Sequence, residues 1–141
     1  MTTMTNDQAM TANELILTAA AATQSEKTAE VMRRFNDAFL QHDPAALSEL
    51  IAEDCVIEET VPAPSGGRRV GREACLELWQ RIAADSKAWF DLEHVFGAGD
   101  RATIRWRYRW GDEESNSLRG VNLMRVRDDL IVEAMGYVKG Q

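Results

Sequence analysis

The chain is poor in the residues that announce most chemistries. Among 141 residues only two are cysteine, Cys55 and Cys75, and only two are histidine, His42 and His94. Two cysteines set in apolar patterns make no disulfide framework; they read as buried thiols of a reducing, cytoplasmic compartment. Four such ligands scattered so widely hold no metal-binding spacing, so no metal is expected. No G-x-S-x-G, dinucleotide-fingerprint or P-loop pattern occurs, and no cofactor is expected either. Long apolar runs are missing too. No stretch reaches the roughly 18 residues of a membrane span, and no basic segment followed by an apolar one opens the chain as a secretory leader does. Positive charge is in deficit: the formal net charge is −7, which opposes binding to a nucleic-acid backbone.

What is present suits one soluble domain with a real core, since 45% of the residues are hydrophobic and 28% charged. Residues 1–24 are rich in Thr and Ala and hold no aromatic residue. They read as a flexible N-terminal segment with a helical piece around Glu14 to Ala22, and the domain proper is expected to run from 25 to 141. Thr23 or Ser25 is placed to cap a first helix over 26–41, whose apolar positions Val31, Phe35, Ala38 and Phe39 follow helical spacing. Asp43-Pro44 starts a second helix to about Ala52. An apolar strand over 55–61 follows, then a Pro/Ser/Gly loop over 62–67. Gly71-Arg72-Glu73 opens a third helix to about Ala84. The period then changes from 3.6 to 2, and 89–97, 101–110, 117–127 and 130–138 read as four strands joined by turns at Gly99-Asp100 and Asp128-Asp129. Helices gathered before a meander mean an α+β fold: three N-terminal helices packed in a curved, mostly antiparallel sheet, forming a cone with one open end.

Strand alternation then picks out chemistry. Glu58 and Glu59 are neighbours, so they point to opposite faces, and Glu59 shares the face of Ile57. A carboxylate on a core-facing side is costly without a partner or a task. If that face lines a pocket, desolvation favours a carboxylate able to take up and return a proton, which makes Glu59 a candidate general base. The same alternation puts Ala102, Ile104, Trp106, Tyr108 and Trp110 on one face, with Asn122 and Met124 beside them on the next strand. Phe35, Phe39 and Trp79 close the cavity from the helices. The candidate catalytic set is Glu59, Asn122 and Tyr108, with His94 as an accessory; Phe35, Phe39, Trp79, Trp106, Trp110 and Met124 are the candidate substrate contacts. Asn122 or Tyr108 can stabilise a developing enolate oxygen. The matching structural reading keeps the tryptophans as plain core and pairs Glu59 with Arg68, Arg69 or Arg72.

The opposite face of the 101–110 strand carries Arg101, Arg105, Arg107 and Arg109. Its aromatic residues lie on the other side and cannot interleave with this stripe, and the acidic hairpin Asp112-Glu113-Glu114 together with Glu133 can neutralise it, so no nucleic-acid partner is expected. Arg105, Arg107, Arg109, Val121, Leu123, Met135 and Tyr137 together make a mixed patch unusual for a face that meets only water, which predicts a homodimer.

Three pieces carry a family resemblance: Val31-Met32-Arg33-Arg34-Phe35 running through His42-Asp43 to Leu50-Ile51-Ala52-Glu53-Asp54-Cys55-Val56; Gly71-Arg72-Glu73-Ala74; and Arg119 to Asp128 followed by Ile131-Val132-Glu133. In this order they resemble the NTF2-like superfamily, within its SnoaL-like and ketosteroid-isomerase-like branch, over about residues 28–139. The resemblance implies that the isomerases' general-base position falls on Glu59. It puts their tyrosine on Phe35, which has no donor, and their protonated aspartate on Asn122, which keeps an amide donor. The Asp-Arg-Asp set of the limonene-epoxide-hydrolase-like branch falls on Trp106, Tyr108 and Gly136 and is missing. Two function classes follow: a cofactor-free isomerase, cyclase or lyase that abstracts a proton next to a carbonyl of a hydrophobic small molecule, or a non-catalytic ligand-binding or dimerisation domain. A free, cavity-facing Glu59 favours the first; a Glu59 tied to an arginine favours the second.

Overall fold

The computed structural model describes residues 11–113 and 115–140. Helix α1 (Ala12–Leu40) comes first, then a 3-10 helix (Pro44–Glu49), strands β1 (Ile51–Glu58) and β2 (Arg68–Val70), helix α2 (Arg72–Ala84), and the strands β3 (Ala88–Ala98), β4 (Arg101–Trp110), β5 (Ser117–Arg127) and β6 (Leu130–Val138). The architecture is α+β. One six-stranded sheet has the order β2-β1-β6-β5-β4-β3. Every pairing is antiparallel except β1 with β6. The third helix follows the first two strands, so the helices are not all N-terminal. Among the described residues no helix is long and apolar enough to cross a membrane.

The meander starts and stops within a residue of the sequence expectation, because Asp128 and Asp129 adopt positive φ (52° and 63°) and so form the mirror-image turn that hairpins favour. The N-terminal half departs further. α1 is one piece of 29 residues and starts at Ala12 rather than 26. Thr11, not Thr23 or Ser25, is its cap: the Thr11 hydroxyl accepts from the Glu14 amide at 3.1 Å while the Glu14 carboxylate accepts from the Thr11 amide at 2.7 Å. Ser25 serves the tertiary fold instead, its hydroxyl accepting from the Gly99 amide. Residues 11–23 stay exposed and burial begins at Gln24 and Ser25, where the helix reaches the β3–β4 turn. Residues 1–10, the start of the expected flexible segment, lie outside the described residues.

The second helix is a single 3-10 segment with Pro44 at its start and no side-chain cap from Asp43. It ends early because Leu50 already serves the sheet, its carbonyl accepting from the Ile131 amide at 2.7 Å. β1 therefore begins at Ile51, and Glu59 lies one residue past its end. The core fills the space between α1, α2 and the sheet, with Met32, Leu47, Leu50, Ile51, Ile104, Met124, Val126 and Ile131 almost fully enclosed. Cys55 and Cys75 are free and buried there, the Cys75 thiol donating to the Cys55 carbonyl.

Candidate functional site

A cavity of about 360 Å³ lies between the helices and the inward face of the sheet. Period-2 alternation builds one wall: Ile104, Trp106 and Tyr108 project inward from β4, opposed on β3 by Phe90 and Leu92. Helical spacing builds the other, with Phe35 and Phe39 from α1 and Leu78, Trp79 and Ile82 from α2. The rings interlock edge to face. Phe35 meets Phe39 and Trp79 with centroids 4.9 Å apart in each case, and Phe90 meets Phe39 at 5.6 Å and Trp106 at 5.5 Å. This geometry suits the ring quadrupoles and makes a stiff, apolar box. Two expected contacts are not among its lining residues. Met124 is only 2% exposed and packs into the core between Ala102 of β4 and Ala134 of β6. Trp110, 39% exposed, lies past the cavity at the far end of β4, stacked against Tyr108.

Glu59 lines the cavity, and it is not free. Arg69 Nε donates to its Oε2 at 3.1 Å, and both side chains are 24% exposed. The loop after β1 turns back on this residue: the Glu59 amide donates to the Gly67 carbonyl at 2.7 Å, and Gly67 N–H to Val61 O at 3.0 Å. Two glycines allow it. A Cβ on Gly66, which has φ of +75°, would lie 1.9 Å from the Glu59 carbonyl oxygen, and one on Gly67 would lie 2.6 Å from Glu59 Oε2. The site thus includes β2, which sequence reasoning missed. A strand of three residues is too short to show a period, and its only signal was the arginine pair Arg68-Arg69 facing Glu58-Glu59 across a glycine-rich loop.

Asn122 also lines the cavity. Its Oδ1 accepts from Trp106 Nε1 at 3.2 Å. Indole nitrogen only donates, so the oxygen must face it and the Asn122 NH2 is left for another partner. The Trp106 ring reaches this position by lying against Gly120, where a Cβ would come within 2.5 Å of Cζ2 and Cη2. Gly136 opens the space beside Asn122 in the same way: a Cβ there would sit 2.9 Å from Thr60 Cγ2 and 3.4 Å from Asn122 Oδ1. Tyr108 lines the cavity half-buried; burial, and then the negative charge of Asp85, push its phenol above its ordinary pKa. It therefore enters any chemistry near neutrality as a donor.

His94 points away. A β-bulge between Leu92 and His94 inserts Glu93 without a partner on β4, and one extra residue exchanges the faces of everything after it. Phe90 and Leu92 face inward before it; His94 lies exposed beside Arg105 after it. Strand β3 also supplies counter-charges to two arginines of the stripe, Arg105 and Arg109. Glu93 receives Arg119 at 2.7 and 2.6 Å and lies 3.9 Å from Arg105, while Asp91 receives Arg109 at 2.7 and 3.2 Å. These acids of β3, rather than those of the 112–114 hairpin or Glu133, pair with the stripe among the described residues; Glu114 lies outside them. His42 is structural, its Nδ1 donating to the Ala83 carbonyl at 3.1 Å.

One lining residue gives no apolar signal in the sequence. Asn36 lies on α1 between Phe35 and Phe39 and is 93% removed from solvent, at 7% exposure. It follows Met32 at i+4, so the buried stripe of α1 is wider than the four apolar positions suggested.

The SnoaL-like domain family matches residues 32–134. An NTF2-like protein of unknown function from Mesorhizobium loti is 68% identical, over 83% of this chain and 94% of that one, with a TM-score of 0.80. A candidate ketosteroid isomerase from Kribbella flavida is similar at 23% identity over 84% of this chain and 82% of its own (TM-score 0.71). An LEH-like epoxide hydrolase from M. tuberculosis is similar at 14% identity over 82% and 80% (TM-score 0.65). The last two likenesses are of fold. No curated protein matches.

Proposed function

The chain belongs to the SnoaL-like domain family of NTF2-like proteins, and on that premise we propose that it is a small-molecule pocket protein whose cavity takes a flat, largely apolar carbonyl compound. The observation that carries this reading is the aromatic box with one directed donor in it. The Asn122 amide is oriented by Trp106, so its NH2 can meet a ligand oxygen without first leaving a protein partner. The Arg69–Glu59 pair favours a binding role for Glu59 over that of an unengaged base. The test is to recover the protein under non-denaturing conditions and weigh it by native mass spectrometry. A co-purified ligand that leaves on Asn122→Leu supports the reading. A protein that carries nothing, and whose melting temperature no flat ketone or lactone raises, removes it.

A second reading rests on a different detail. Only Oε2 of Glu59 is held by Arg69, which leaves Oε1 for a ligand. Glu59 would then take a proton next to the ligand carbonyl while Asn122 steadies the enolate oxygen, giving isomerisation, cyclisation or elimination. Neither reading involves a cofactor.

The outer face of the sheet supports a homodimer. Phe96, Thr103, Leu123 and Met135 are paired in one row across β3, β4, β5 and β6. Phe96 and Leu123 are well exposed, and Tyr137 joins them from the next row. Two arginines of this face, Arg109 and Arg119, already have partners in Asp91 and Glu93. A largely apolar row with part of the neighbouring charge neutralised in place can meet its own two-fold copy with few like charges opposed.

A further inference from the structure

Among the described residues, Asn36 is the one polar side chain of the helix layer that is nine-tenths buried and lines the cavity. Among the described residues no hydrogen bond engages its amide, and no fully enclosed side-chain nitrogen or oxygen lacks a partner. Its amide atoms are therefore not fully enclosed, and the residue lies on the cavity wall. An Asn in the middle of a helix has no propensity to recommend it. An amide left with only a sliver of accessible surface still gives up most of its hydration, so packing alone does not account for it. Leucine would fill the same place among Phe35, Phe39 and Leu40 at less cost.

The two cavity amides differ in what they have left to offer. Asn122 has given its oxygen to Trp106 and offers only N–H donors. Asn36 offers both a donor and an acceptor. They face the cavity from opposite walls, Asn36 from α1 and Asn122 from the sheet. We propose that Asn36 is a ligand-contact residue that reads a hydroxyl, a group which both donates and accepts, on a ligand whose carbonyl meets Asn122. The ligand class is then a flat hydroxy-ketone with its two oxygens at separated positions on an apolar body. This rests on the pocket reading above and narrows it.

The experiment uses the full chain and three probes: naphthalene, a naphthyl methyl ketone, and the same ketone with a hydroxyl on the other ring. Binding is followed by titration calorimetry to wild type, Asn36→Leu and Asn36→Ala. The wild type should hold the hydroxy-ketone about ten-fold more tightly than the plain ketone, the discrimination expected of one well-made buried hydrogen bond. Both variants should lose that preference while binding the plain ketone at least as well as the wild type does. Without ligand, Asn36→Leu should melt no lower than the wild type, because an unpaired amide has been removed. If the variants keep the ten-fold preference, or if the wild type has none while binding the plain ketone, Asn36 does not read a hydroxyl. If both variants melt far below the wild type, Asn36 is structural and the proposal falls. If the wild type binds none of the probes, the pocket reading itself fails, an outcome distinct from the loss of discrimination alone.

Discussion

Arg69 Nε donates to Glu59 Oε2 across 3.1 Å, and through this contact a strand of only three residues holds the one carboxylate that shares the inward register of β1. Glu58, its neighbour, faces outward toward Arg68 at 3.6 Å. Two adjacent acids are thus matched by two adjacent arginines on the next strand, each pair on its own face of the sheet.

Replacing Glu59 separates the two readings of the site. Glu59→Gln keeps an acceptor for Arg69 but cannot take up a proton. The pair is partly exposed, so its loss should cost under about 1 kcal/mol, a shift of a few degrees in melting temperature by calorimetry. Ligand binding should survive. If a substrate is turned over through Glu59, the same change should lower kcat/KM by about 100-fold or more; an unaltered rate assigns the chemistry elsewhere.

Gly120 is the seat of Trp106, and Gly120→Ala should unseat it. The added Cβ would lie 2.5 Å from the indole and 2.6 Å from the Tyr137 carbonyl oxygen. The ring can swing aside, but the carbonyl belongs to a paired strand. A loss of about 2 kcal/mol or more is expected, read as a lower urea midpoint at unchanged slope. Tryptophan fluorescence should change with it. A variant as stable as the wild type would show that β6 gives way easily at this point.

The dimer reading makes a direct claim about mass. Sedimentation at micromolar concentration should give twice the 15.8 kDa of one chain. Leu123→Glu places a charge in the middle of the apolar row and should return the monomer with its fold intact by circular dichroism. A wild type that sediments as a monomer removes the claim.

Acid should loosen the outer face first. The Arg119 guanidinium, hydrogen-bonded to Glu93, holds that carboxyl below its ordinary value, and Arg127 does the same to Asp54. A depressed folded-state pKa means that the stabilisation is complete above the unfolded value, near 4, and is lost as pH falls through the lower folded one. Urea midpoints should therefore be level from pH 7 to about 5 and fall below about 4. Glu93→Gln should flatten part of that fall, and an undiminished fall would mean that other carboxylates govern it.

The strands of the meander were legible because each alternates over most of its length and they are joined at glycine or aspartate turns. The inward residues Trp106, Tyr108 and Asn122 followed from that period alone. The bulge was not legible: Glu93 looks like any other residue of β3, and only the backbone pairing, which passes from Leu92–Trp106 directly to His94–Arg105, shows the slip that carries His94 to the outer face. Arg69 was one of three arginines within reach of Glu59, and sequence offered no way to choose among them before β2 set its register. Asn36 was passed over for the opposite reason. Reading a helix by its apolar residues leaves out a polar one that is buried with them.

The enclosure of Cys55 and Cys75 makes the folded chain nearly inert to thiol reagents. Burial pushes the Cys55 thiol well above its ordinary pKa and raises that of Cys75 as well, so neither presents thiolate to a maleimide. A cysteine introduced at Thr18, on the exposed first turns of α1, would be a single attachment point for a fluorophore, with both native thiols left in place. The same labelling, repeated as the protein is warmed, would report the opening of the core by the moment at which the silent thiols begin to react.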